Sequence, residues 1–200
     1  MPGGAANVGR NLSGIGGHVS LIGCIGNDRA GKSLTDALSI SPQIGFFPIV
    51  CDDRPTTQKS RFLASGQQML RVDDEVTRPL TDTQTSHLLT QAESVLEDSE
   101  LLIISDYAKG AITKNLMEKI IMLCNEKNKI IVIDPKPKHK MFYKNATLIA
   151  PNHKEAHEMN DFTGDSPTDA DIENIGKKLL KELMLVKGRN QKLKLLRIYR

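Results

Sequence analysis

The chain has 200 residues, of which 39% are hydrophobic and 26% charged; this is enough for one globular domain with a sizeable core. Aromatics make up 4% and Trp is absent, which argues against a surface built to stack bases. A formal net charge of +3 is too small to suggest nucleic acid. No apolar run approaches the length of a membrane span, and Met1-Pro2-Gly3-Gly4 lacks the basic region and apolar block of a signal peptide.

Gly3 to Gly17 is the first informative stretch. Small residues lead into a helical pattern with Ala5, Val8, Leu12 and Ile15 on one side, closed by Gly16-Gly17 as a C-cap. Glycines before a helix let a ligand approach the backbone, and Asn7 in the first turn offers a donor and an acceptor. That suits a polyhydroxylated ligand; an ordinary tight loop fits as well. His18 to Ile25 reads as a strand, Gly26-Asn27-Asp28 as a turn and Arg29 to Leu38 as a helix, a βα unit. Phe46 to Cys51 is another short strand.

Thr56 to Ala64 and Gln67 to Asp73, joined through Ser65-Gly66, predict a hairpin. Lys59 and Arg61 share one face of the first strand with Thr57. Such a face suits a phosphorylated substrate, and equally a solvated outer surface. Thr83 to Leu96 is an amphipathic helix with Leu88, Leu89, Ala92, Val95 and Leu96 as its stripe.

Leu101 to Ile104 then reads as a strand buried on both faces, with Asp106 where its carboxyl end opens into a loop. Leu116, Ile120, Ile121 and Leu123 mark a helix, and Ile130 to Ile133 is a second apolar strand, ending in Asp134. Two such strands joined by a helix imply a right-handed βαβ crossover and a parallel sheet, so Asp106 and Asp134 emerge at one sheet edge, where α/β proteins bind ligands. Thr147 to Ala150 is a third short strand leading into Pro151-Asn152-His153-Lys154-Glu155. Asn152 and Glu155 share a helical face, from which they could orient hydrated Mg²⁺ beside phosphates or form a capping box. Ile172 to Leu183 is a last helix, followed by a strand starting at Met184-Leu185-Val186.

The three cysteines, Cys24, Cys51 and Cys124, are far apart and show no metal spacing. An odd number leaves at least one thiol unpaired within the chain, which suits a reducing cytoplasm.

With these pieces in order, the chain resembles the ribokinase-like carbohydrate kinases of the PfkB family, over Pro2 to about Val186. The resemblance rests on Pro2-Gly3-Gly4-Ala5-Ala6-Asn7, on Arg54-Pro55-Thr56-Thr57-Gln58-Lys59-Ser60-Arg61 and on Gln67-Gln68 with Arg71-Val72-Asp73. It continues through Ser105-Asp106-Tyr107-Ala108-Lys109-Gly110, Asp134-Pro135-Lys136 and Pro151-Asn152 with Glu155. The hairpin and the aspartate-tyrosine-lysine loop point to the heptose-7-phosphate kinase branch.

The resemblance implies an α/β, three-layer, mostly parallel sheet with a small β-hairpin lid over about 54–73. It implies a kinase domain over 1–186, with 187–200 as a divergent basic tail. It also implies transfer of the ATP γ-phosphate to the anomeric hydroxyl of D-glycero-β-D-manno-heptose 7-phosphate, with Mg²⁺. Gly3, Gly4 and Asn7 would hold the sugar, and Lys59 and Arg61 would lie near a substrate phosphate. Asp106 and Lys109 would sit between sugar and phosphates as catalytic groups, and Asn152 and Glu155 would organise ATP, with Glu155 at the metal. Relatives with such lids often dimerise through them, so a homodimer through the hairpin is among the expectations; a membrane or nucleic-acid partner is not.

Two family features have no match in the chain: the first core strand with its substrate-binding aspartate, and the Gly-Ala-Gly-Asp anion hole whose aspartate is the base. Low or no activity alone is therefore expected. A non-catalytic sugar-phosphate or nucleotide binder is the alternative.

Overall fold

The computed structural model describes residues 1–161 and 168–185; the basic tail expected at 187–200, and Val186 before it, lie outside the described residues. The chain divides into two units. One comprises Met1–Ala92 with Lys109–Ala111, the other Glu93–Ala108 with the described residues from Ile112 onward.

In the first unit, α1 (Gly4–Gly14) precedes a parallel strand pair, β1 (Val19–Gly26) and β2 (Ile44–Cys51), connected by α2 (Arg29–Ser39). The register sets Val19 beside Ile44 and Leu21 beside Phe46. Side chains of opposed residues share a face, so these four make one apolar surface. Ala6 of α1 and Leu38 of α2 close over it with Leu21 and Ile44, while Ala5, Val19, Leu34 and Phe46 pack at the margin. The inward face of α1 is thus centred on Ala6 and Gly9, and Ile15, expected on the apolar stripe, is 83% exposed. Ile15 is the C-cap residue, past the last helical turn. The helix ends as the Gly pair requires: Gly16 N–H donates to Ser13 O and Gly17 N–H to Leu12 O, a Schellman closure.

β3 (Gln58–Ala64) and β4 (Gln67–Asp74) form an antiparallel hairpin. Ser65 and Gly66 both have positive φ, +50° and +78°, the primed turn that matches strand twist. Lys59 lies opposite Asp73 and Arg61 opposite Arg71, and the register shifts by one after Phe62, leaving Met69 as the extra residue of a bulge. On the other face, Phe62 is paired with Leu70 and Ser60 with Val72; all three apolar residues are exposed.

Helix α3 (Asp82–Leu96) buries Leu88 and Leu96, as its stripe predicts. In the second unit, β5 (Leu101–Ser105), β6 (Ile130–Asp134) and β7 (Leu148–Ile149) form a parallel sheet in that order. The β5–β6 crossover is α4 (Lys114–Glu126), capped at Thr113 by a bond from Leu116 N–H and burying Leu116, Met117, Ile120, Ile121 and Cys124. The strand expected to be buried on both faces is an edge strand: β5 has β6 as its only partner among the described residues, and Leu101 is 43% exposed. Burial concentrates instead in the central strand, where Ile131 and Ile133 are fully covered. A run of apolar residues reports suitability for a sheet interior and not the number of neighbouring strands. After β6 come a 3-10 helix (Pro137–Tyr143), α5 (His153–Glu158) and α6 (Asp169–Glu182). Met184, expected to start a strand, lies in a turn at φ +47°.

Candidate active site

The predicted site residues fall into two groups, one in each unit. In the first, the hairpin legs are pinned at their base. Asp28, the N-cap of α2, accepts from Gly31 N–H at 2.7 Å through Oδ1 and from Thr56 N–H at 2.7 Å through Oδ2. The Thr56 hydroxyl accepts from Gly26 N–H at 2.8 Å. The Thr56 and Gly31 amides hold the Asp28 carboxyl below its usual range. A side chain at Gly26 would place its Cβ 2.6 Å from Arg54 O and 2.7 Å from Thr56 N, so the entering leg packs directly on that backbone. From the entering leg, buried Arg54 reaches the returning one, donating from Nη2 to Arg78 O at 2.9 Å and Pro79 O at 3.3 Å.

The segment 109–111 docks on the same leg. Leu80 N–H donates to Gly110 O at 3.0 Å, and Gly110 sits at φ +83° where a Cβ would lie 2.0 Å from Arg78 O. Only glycine fits there. This docking delivers Lys109 to the hairpin base. Lys109 Nζ donates to Glu75 Oε1, Lys59 Nζ to Glu75 Oε2 at 3.4 Å and to Asp73 Oδ2 at 2.6 Å, and Arg71 Nε lies 3.0 Å from Asp73 Oδ1. The Asp73 contact, then the nearby Glu75 charge, raise the Lys59 pKa, while the Lys109 contact lowers that of Glu75. Lys59 and Lys109 are therefore brought together through Glu75. Arg61 lies on the same face with no ion-pair partner among the described residues.

At the start of α1, Gly3 is the N-cap and supplies no side-chain cap, Gly4 has φ +54°, and Asn7 is exposed. The leading amides of this helix therefore have no side-chain acceptor at the cap, an arrangement open to hydroxyl or anionic ligands.

In the second unit, Asp106 is fully buried. Its Oδ1 accepts from Ala108 N–H at 2.6 Å, and its Oδ2 accepts from the Tyr143 hydroxyl at 2.7 Å and lies 2.7 Å from His139 Nδ1. Asp106 N–H in turn donates to Asp134 O at 3.0 Å, so the two acids do emerge at one sheet edge. The geometry gives Asp106 a turn-forming role: it fixes Ala108, at φ +53°, immediately before Lys109. Burial pushes the Tyr143 hydroxyl up, keeping it protonated as a donor.

Asn152 and Glu155 form a complete capping box on α5. Glu155 N–H donates to Asn152 Oδ1 at 2.9 Å, and Asn152 N–H to Glu155 Oε2 at 3.0 Å. The remaining oxygen, Glu155 Oε1, accepts from Lys136 Nζ. Asp134 is raised by burial and then by the neighbouring Glu155 charge. Among the described residues no group of three His, Cys, Asp or Glu side chains converges as a metal-ligand set. With both Glu155 oxygens engaged, the residues present do not fit direct coordination of Mg²⁺.

Glu75, His139 and Tyr143 carry no reading in the sequence, and Arg71 and Asp28 enter it only as parts of a motif and a turn, without a site role. Glu75 had one signal: it follows Asp73 by two residues, which keeps it on the Lys59 face. Tyr143 and His139 had none.

A family model described as pfkB family carbohydrate kinase matches residues 1–187. Bifunctional protein HldE of Azorhizobium caulinodans is 34% identical over 171 residues, which is 85% of this chain and 36% of that protein. The protein of the same name from Rhodopseudomonas palustris is 38% identical over 168 residues, covering 82% of this chain and 34% of its own length. The chain spans about a third of the length of these curated relatives. Among solved structures, the tetrameric inhibited form of phosphofructokinase-2 from Escherichia coli aligns with a TM-score of 0.69 at 20% identity, over 90% of this chain and 58% of that one. Ribokinase from Giardia lamblia aligns at 0.62 and 16% identity, over 84% and 51%. At these identities the likeness establishes the fold, ribokinase-like α/β.

Proposed function

Because the chain belongs to the pfkB family of carbohydrate kinases, we propose that it transfers the γ-phosphate of ATP to the anomeric hydroxyl of D-glycero-β-D-manno-heptose 7-phosphate. The observation that carries this reading is the cationic hairpin face, where Lys59 and Arg61 are joined by Lys109 from a distant part of the chain. A face of that charge suits a sugar already bearing a phosphate better than a neutral sugar. Gly3, Gly4 and Asn7 take the sugar hydroxyls. Asp106 is a positioning residue, holding Ala108 in the turn that follows β5. Asn152 and Glu155 shape the start of α5 for the nucleotide. Glu155 is committed to Lys136 and the cap and so would not hold Mg²⁺ directly; the ion would supply neutralisation of phosphate charge.

The product in this reading is a doubly phosphorylated heptose, a precursor of ADP-heptose and of the lipopolysaccharide core, made in the cytoplasm. No helix among the described residues is long and apolar enough to cross a membrane. A homodimer through the hairpin is part of the proposal, supported by the exposed Phe62, Leu70 and Val72. A second reading, binding without transfer, is favoured by the commitment of both the Asp106 and Glu155 carboxylates to internal partners.

The deciding experiment is ATP- and Mg²⁺-dependent phosphorylation of heptose 7-phosphate by the wild type and by Asp106→Asn. Turnover that falls in the variant supports the kinase reading. A folded wild type that binds heptose 7-phosphate and never phosphorylates it establishes the second.

A further inference from the structure

The hairpin face combines two features that are unfavourable without a ligand. Arg61 and Arg71 are directly opposed across the strands, a like-charge pair that costs stability. With Lys59 and Lys109 they make four cations against two carboxylates, Asp73 and Glu75. The uncompensated charge equals that of one phosphomonoester dianion. The carboxylates are unevenly placed. Asp73 belongs to β4 and is fixed opposite Lys59, whereas Glu75 lies beyond the strand end and joins two lysines whose own positions are separately anchored. Lys59 retains Asp73 as a partner when Glu75 leaves, and Lys109 is carried by the segment docked through Gly110.

We propose that Glu75 is an internal counter-anion that neutralises Lys59 and Lys109 and is displaced by the phosphate of the substrate. This rests on the reading that the hairpin face takes a substrate phosphate. Exchange of this kind discriminates by charge. A dianionic sugar phosphate replaces the Glu75 carboxylate and also relieves the Arg61–Arg71 opposition, while a neutral sugar does neither. Glu75 therefore lowers affinity for every anion but favours the one carrying two charges.

The test is calorimetric titration of inorganic phosphate into the full chain at low salt, comparing wild type, Glu75→Gln and Asp74→Asn. Asp74 lies opposite Gln58 on the other hairpin face, so its variant changes the net charge equally without touching the lysines. Glu75→Gln is expected to bind phosphate about three- to fivefold more tightly, the worth of one partly exposed ion pair expressed as affinity, with Asp74→Asn unchanged. Unchanged or weaker binding by Glu75→Gln overturns the proposal, because a merely structural clamp weakens the site when broken. Equal gains in both variants also overturn it, leaving only the general field. Absence of phosphate binding in all three sinks the phosphate-site reading itself. Should Glu75→Gln fail to fold, Glu75→Ala, which removes the same carboxylate, carries the same expected sign.

Discussion

Replacing Tyr143 by Phe removes one hydroxyl from the fully buried cluster around Asp106. That hydroxyl donates to Asp106 Oδ2 at 2.7 Å and accepts from Lys136 N–H at 2.9 Å. A hydrogen bond to a charged acceptor contributes about 1.5–3 kcal/mol, and a buried amide left unpaired costs about 1–3 kcal/mol more. Lys136 N is only partly buried, so the lower part of that range applies and the total loss is about 2–4 kcal/mol. For a chain of this size that corresponds to a fall in Tm of roughly 5–12 °C. The assay is urea denaturation, read as a shift in midpoint at unchanged slope. A double-mutant cycle with Asp106→Asn should return a coupling of about 1 kcal/mol or more. A loss under about 0.5 kcal/mol, or no coupling, would show that the buried carboxylate does not depend on this hydroxyl and would refute the account of the Asp106 loop.

Two further perturbations separate neighbouring effects. Asp28→Ala removes both the α2 cap and the link to Thr56 and should cost about 2 kcal/mol, whereas Asp28→Ser restores the cap and recovers about half of it; equal losses in the two variants, measured by urea denaturation, contradict the dual role. Because the Thr56 and Gly31 amides lower the folded pKa of Asp28, its contribution is present above the ordinary value of 3.8 and disappears as pH falls through the lower folded value. Asp134 has the opposite sign. Burial raises its folded pKa, so its ionisation opposes folding, and stability falls as pH rises past 3.8 through the raised value. Asp134→Asn should melt higher than wild type at pH 7 and equal to it near pH 3; a wild type more stable at pH 7 would reveal a partner that favours the charged form.

What could be read from the sequence was whatever depends on near neighbours. The capping box of Asn152 and Glu155 is a three-residue pattern, and the Ser65-Gly66 turn is set by two residues; both are in the structure as their spacing requires. The βαβ crossover followed from two apolar runs and one helical period. The partners of the charged site residues did not follow. Asp106 looked like a residue at an open sheet edge because nothing local reveals Tyr143 and His139 arriving from 37 and 33 residues away. Lys109 and Glu75, 34 residues apart, meet only because a glycine lets two backbone segments touch. β5 is less covered than its apolar run suggests because hydrophobicity reports tolerance of burial, and what packs over a strand is decided elsewhere in the chain.

The bulge at Met69 sets how this hairpin can change length. Side chains on a strand alternate, so one residue inserted between Lys59 and Phe62 would exchange the two faces and turn the basic groups toward the side that carries Val72 and Leu70. Beyond the bulge that constraint is released, since the mismatch is already absorbed by one unpaired residue. Insertions at the Ser65-Gly66 tip, of odd or even length, should therefore leave Lys59, Arg61 and Arg71 untouched. The hairpin behaves as two segments in series, a base whose length is fixed by parity and a tip free to vary.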